Sequence, residues 1–176
     1  LLVVLFISPS MVSAQTIDVG PPDTSVCNGT PIDLTAITSG TGGTGSSAVL
    51  DLNSDDTHSQ VVNIGFPFEY FGNVYTQCVA SSNGYITFDL ATAGTGSPWN
   101  IGAASPTPGV PDNAIMFPWQ DTNPGAGSGG TNSADCGDGV FVVDFTDIAM
   151  FSCTTLEFSM QVKLYENTNI IETHIA

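Results

Sequence analysis

Residues 61–90, VVNIGFPFEYFGNVYTQCVASSNGYITFDL, restrict the fold more than any other part of the chain. Apolar and polar positions alternate there in three short runs, the two-residue period of strands with one wet and one dry face. Gly72-Asn73 separates the first run from the second, and Ser82-Asn83-Gly84 the second from the third. An Asn-Gly pair between alternating runs signals a hairpin, because both residues tolerate the positive φ of a primed turn. After that turn, Ile86, Phe88 and Leu90 are expected on the core face, with Tyr85, Thr87 and Asp89 facing water.

The last third repeats the pattern. Phe141, Val143 and Phe145 oppose Val140, Val142 and Asp144. Leu156, Phe158, Met160, Val162 and Leu164 then alternate with more polar neighbours, and Asn167-Thr168-Asn169 turns the chain into a final strand over 170–175. The run AIMFPW over 114–119 reads as one more strand, held to an edge or a bulge by Pro118. No window keeps a helical period for three turns. The expected fold is all-β, an antiparallel β-sandwich of jelly-roll-like type, incomplete at its C-terminus because the final strand runs to Ala176 without a turn.

Before this body lie three segments. Residues 1–14, LLVVLFISPSMVSA, read as the apolar part of an export signal, clipped at its start and ending in a Val-Ser-Ala cleavage site. The run is too short to span a bilayer, so no membrane insertion is expected after its removal. Residues 15–38 hold one strand-like alternation, Ile32, Leu34 and Ala36, and an Asn28-Gly29-Thr30 sequence read as a turn. Residues 39–60 are a Gly/Ser-rich and acidic linker or loop, and 61–176 form the sandwich module.

Charge narrows the partners. One base, Lys163, stands against 17 acids for a formal net charge of −16. A phosphate backbone needs Lys and Arg to neutralise it, so nucleic acid is excluded. Thirteen of the acids are Asp, a turn former and a hard oxygen ligand for Ca²⁺. Two Asp-rich stretches are the candidate cation sites. The first is Asp51, Asn53, Asp55 and Asp56. It departs from a helix-flanked calcium loop, with Asp56 where a Gly is needed and Val62 where a Glu is needed. The second is Asp121, Asn123, Asp135 and Asp138, provided the long irregular region 91–139 folds over one end of the sandwich.

Other chemistry has little support. The metalloprotease, P-loop, dinucleotide and nucleophile-elbow patterns are absent from the sequence. His58 and His174 are the only histidines, and nothing local recruits either into a triad. No pair of carboxylates is singled out for glycoside hydrolysis, so no enzyme is expected. Tyr70, Tyr75, Tyr85, Trp99 and Trp119 include candidates for sugar stacking, with Trp99 and Trp119 preferred, although strand aromatics more often pack in cores. Cys27, Cys78, Cys136 and Cys153 are widely spaced and suit disulfides rather than zinc, with three pairings open.

Four blocks, IGFPFEYFGNVYTQCVASSNGYITF, PDNAIMFPWQDTNPG, FVVDFTDIAMFSC and LYENTNIIETHI, together resemble a module of secreted, gliding-motility-associated-like bacterial surface proteins exported by type IX secretion. They also resemble the nidogen-type extracellular domain pattern. The preceding SVCNGTPIDLTA is similar to the start of PKD- or Ig-like repeats. Three departures stand out: SADCGDGV replaces an Arg-containing stretch, and both a later cysteine and a C-terminal sorting domain are missing. The resemblance implies that Cys153 pairs beyond this chain, leaving Cys27, Cys78 and Cys136 to compete for one bond. It implies a secreted, cell-surface adhesion or scaffold module of a larger protein, non-catalytic, with Ca²⁺ as the candidate stabilising ion. Its expected partners are surface glycans, proteins or copies of itself. The alternatives are a carbohydrate-binding module of an exported enzyme and a self-assembling extracellular fibre subunit.

Overall fold

A computed structural model describes residues 46–100, 102, 104 and 107–176. The export-signal reading of 1–14, the strand of 15–38 and Cys27 fall outside the described residues. Within them, ten strands form two antiparallel sheets. One sheet is a meander of β2 (Val62–Tyr70), β3 (Asn73–Ser81), β4 (Tyr85–Thr87) and β5 (Ala114–Met116) in that order. The other runs β1 (Ser46–Val49), β7 (Gly130–Asp135), β8 (Val140–Met150), β9 (Cys153–Tyr165) and β10 (Ile171–Ile175), with β6 (Thr122–Asn123) also paired to β8. The fold is an all-β sandwich. The acidic segment read as linker contributes from Ser46 onward: β1 pairs with β7, and Leu50 and Leu52 enter the core.

Alternation sets which side chains meet between the sheets. Ile64, Phe66, Phe68, Cys78, Ala80, Ile86, Ile115 and Phe117 come from the smaller sheet and its margin. Phe141, Val143, Phe145, Ile148, Met160, Val162 and Leu164 come from the larger one. Burying a side chain of this size contributes about 1.5–3 kcal/mol, so these two faces supply most of the driving force. Phe117 meets Phe145 across the gap with ring centroids 5.7 Å apart. Phe88 anchors a second aromatic group, stacked on Tyr75 at 4.3 Å and tilted against Tyr70 at 5.1 Å. Tyr70 and Tyr75 are therefore packing residues.

The two expected turns are present, but their chemistry differs. Between β2 and β3 the positive φ values fall on Phe71 and Gly72, at 46° and 77°, one residue earlier than Gly72-Asn73. Between β3 and β4, Gly84 alone takes positive φ, at 74°. Asn83 stays out of that region because its side chain is pulled inward, as described below. A Cβ on Gly84 would collide with the Pro118 carbonyl oxygen, so this glycine is needed both for φ and for the close approach of the β5 exit.

Three expectations are corrected. Tyr85 and Thr87 are not on a wet face: they are 1% and 2% exposed, because residues 95–100 and 109–112 cover that side of β4, with the Thr87 hydroxyl donating to the Asp112 carbonyl at 2.9 Å. Leu90 is not on the core face. β4 ends at Thr87, and Leu90 opens a one-turn 3-10 helix capped by the Asp89 side chain, leaving Leu90 exposed. Cys78 is not a disulfide partner but a free, fully buried thiol, and burial pushes it up to about 12. It lies within the apolar core between the sheets. Cys153 is free and exposed, and Cys136 is disulfide-bonded.

Candidate functional site

The candidate cation ligands separate into two groups. β6 pairs with the Ala149–Met150 end of β8, whereas Asp135 pairs with Phe141 near the start of the same strand. Eight or nine strand residues at about 3.3 Å each put these ends about 26–30 Å apart. Asp135 accepts a hydrogen bond from Gly137 N at 2.9 Å and sits against Gly65. Asp138 is exposed in the β7–β8 turn. Neither joins Asp121.

Asp121 instead meets the first Asp-rich stretch. Asp55, Asp56 and Asp121 each present a ligand atom, all within 4.8 Å of one another. Ligand oxygens around one Ca²⁺ lie 2.3–2.6 Å from the ion, so opposed oxygens are about 5 Å apart, and this trio matches a single such sphere. The two loops are pressed together: a Cβ on Gly125 would collide with the Asn53 carbonyl oxygen. Asp51 and Asn53 point away, the Asn53 amide donating to the exposed Asp51 carboxylate at 2.7 Å. Asn123 is half-buried in β6, its side-chain oxygen near Gly125.

One carboxylate oxygen of Asp55 and one of Asp121 are buried with no hydrogen-bond partner. Buried polar atoms are nearly always satisfied, and an orphaned charged oxygen is costly. The pKa of Asp55 is raised by burial and then by the charges of Asp56 and Asp121; that of Asp121 is raised by burial and then by Asp56. The acids repel one another with no base nearby: Lys163 is on β9, paired with Glu172 of β10 at 3.7 Å.

Asn83 ties this cluster to the rest of the loop end. It is fully buried. Its amide nitrogen donates to Asp56 Oδ1 at 2.8 Å, to Ser97 Oγ at 3.0 Å and, more weakly, to the Pro98 carbonyl at 3.4 Å. Its Oδ1 accepts from the backbone N–H of Thr122 at 3.0 Å, beside Asp121. Ser97 N also donates to the Asp56 carbonyl at 2.8 Å. Sequence reasoning read Asn83 only as a turn former. Nothing local distinguishes an Asn whose side chain turns inward from one at a solvated turn.

The remaining candidates have structural partners. Trp119 is half-buried and its indole N–H donates to the Pro98 carbonyl at 3.0 Å. Trp99, the next residue along, is 50% exposed. His58 is buried, with Nε2 2.6 Å from the Tyr85 hydroxyl and Nδ1 3.3 Å from Thr95 Oγ1; burial lowers its pKa and keeps the ring neutral. Tyr85 is likewise pushed up to about 12 by burial. His174 is exposed and paired with Glu172.

Among the described residues, no helix is long and apolar enough to cross a membrane. Searches of curated proteins and of solved structures each found no match. A sequence model described as NIDO related matches residues 33–176, which include both Asp-rich loops, Asn83 and every strand of the sandwich, and the chain belongs to this NIDO-related family of nidogen-like extracellular domains.

Proposed function

We propose that this extracellular module is a non-catalytic adhesion or scaffold unit of a larger cell-surface protein, with a Ca²⁺ ion bracing its loop end. The gliding-motility-associated-like, type IX-exported context is part of that reading and rests on the sequence blocks alone. The observation that carries the calcium reading is the pair of buried, unpartnered oxygens on Asp55 and Asp121, facing the same small space as Asp56. Three carboxylates, with water completing the shell, suit a hard cation that takes six to eight oxygens. In a shear-exposed surface protein such an ion crosslinks residues far apart in sequence, here 55–56 and 121, without needing a disulfide.

Isothermal titration of metal-stripped protein with CaCl₂ is expected to show one site, abolished by Asp121→Asn. Absence of binding heat at millimolar Ca²⁺ would remove the calcium part while leaving the adhesion part standing. The adhesion part is tested by coating beads with the module and scoring their attachment to cells of the same community, with and without Ca²⁺. Attachment no better than that of uncoated beads counts against it.

Fibre assembly has one observation in its favour. β10 forms the margin of its sheet, and Ile171 and Ile175 on the face it shares with Met160 and Leu164 are exposed. Strand addition would cover them. Sedimentation equilibrium should then show concentration-dependent association, lost in Ile175→Lys; a monomer throughout counts against fibres.

A further inference from the structure

Beside the cation cluster, a cleft of about 550 Å³ opens between β4 and the loops over residues 89–100 and 109–112. This volume falls within the roughly 300–1,000 Å³ range of small-molecule sites. Its floor is closed: His58, Tyr85 and Thr87 are all nearly fully buried and hydrogen-bonded among themselves or to the covering loops. Its walls are not. Trp99 keeps half its surface in water, and Asp89, Asp112 and Asn100, also lining the cleft, are exposed.

An exposed indole costs the fold hydrophobic free energy, yet this one is held firmly in place. The Pro98 carbonyl just before it accepts from both the Trp119 indole N–H and the Asn83 amide, and Ser97 is bonded to Asn83 and Asp56. Two buried or half-buried side chains thus fix the backbone that presents Trp99. A platform anchored this way loses little conformational entropy when a ligand stacks on it.

The chemistry of the walls selects the ligand. The described residues lining the cleft include no Lys or Arg, and two carboxylates lie there, so anions are disfavoured. A quaternary ammonium or methylated amine is held by several aromatic faces together. Here the second aromatic ring, Tyr85, is only 1% exposed and offers none. What remains on the lining is one exposed flat apolar ring together with hydrogen-bond acceptors and an amide. That combination matches a ring with an apolar C–H face and hydroxyls around its edge. The geometry points to a neutral saccharide bound in this cleft, stacked on Trp99 and hydrogen-bonded through its hydroxyls to Asp89, Asp112 and Asn100.

This site is separate from the proposed cation cluster. The test is affinity electrophoresis of the module through gels containing neutral polysaccharides (β-glucan, xyloglucan, galactomannan and dextran), run in Ca²⁺ and again in EDTA. Any retarding polysaccharide is then titrated as its hexasaccharide by calorimetry. At least one polysaccharide should retard the wild type. Trp99→Ala should weaken hexasaccharide binding at least 10-fold with an unchanged melting temperature, and Asp112→Asn by a smaller factor. Trp99→Phe, which keeps a stacking face, should recover part of the loss. No retardation by any of the four, or retardation that survives Trp99→Ala, overturns the proposal. So does tighter binding of a poly-lysine peptide than of every saccharide. Binding seen equally in EDTA supports the cleft and leaves the calcium reading to its own titration.

Discussion

Replacing Asn83 with Ala is expected to be the most damaging single polar substitution in the described structure. The change removes one acceptor from the Thr122 N–H and the shared donor from Asp56, Ser97 and Pro98, all at a position with no solvent access. Each buried group left unsatisfied costs about 1–3 kcal/mol. The Asp56 carboxylate suffers most, since it loses its donor while remaining beside Asp55 and Asp121. Partial relaxation limits the total to about 3–5 kcal/mol. For a domain of this size that is a fall in melting temperature of about 6–20 °C. The control is Asn63→Ala, which removes an exposed bond from the Gln77 amide to Asn63 Oδ1 at 2.8 Å and should cost about 0.5 kcal/mol or less. Thermal melts of both variants measure the difference. Equal, small effects would mean that Asn83 is only a turn residue, and the link between the acidic loops and the Trp99 wall would fail with it.

That contrast shows where the sequence was legible. Period-2 alternation located β2 and β9 because each has one face in the core and one outside, so burial leaves a trace residue by residue. β5 was visible through an apolar run cut off by Pro118. The reading broke down where both faces are covered. Tyr85 and Thr87 alternate correctly with Ile86, but the loops over 95–100 and 109–112 bury them as well, and an irregular loop has no period from which its landing place can be read. The candidate site was half legible for the same reason. Asp-rich loops announce themselves by composition. Which of them meet depends on β8, whose length holds Asp135 and Asp138 at the end opposite Asp121, and on Gly125, which lets residues 53–56 close onto residues 121–125. The role of Asn83 was not legible, since an Asn-Gly turn looks the same whether its amide faces water or a carboxylate.

The second large effect expected is a reversal of sign at the acidic cluster. In EDTA, neutralising one acid should stabilise the protein; in Ca²⁺ the same substitution should destabilise it. Asp55 and Asp121 have folded-state pKa values raised above their unfolded ones, first by burial and then by the neighbouring carboxylates. The folded chain therefore binds more protons than the unfolded chain in the window above the ordinary Asp value of about 3.9. Across that window, rising pH lowers the contribution of these two groups to stability, and the full penalty is present at neutral pH. Asp121→Asn relieves it, so without metal the variant should melt above the wild type at pH 7, with the gap closing as pH falls toward 4. Bound Ca²⁺ inverts the balance by satisfying both orphaned oxygens. At a free concentration about 100 times Kd it adds about 2.7 kcal/mol, or about 5–10 °C in a domain of this length. Protons compete for the same oxygens, so this gain should shrink on acidification. Melting curves of wild type and Asp121→Asn at pH 7 and pH 4.5, each in EDTA and in 5 mM Ca²⁺, read out all four corners. If calcium raises both proteins equally, the ion binds elsewhere. If the variant is the less stable of the two in EDTA as well, the trio is held together by bonds other than those to a cation, and the loop end needs no metal.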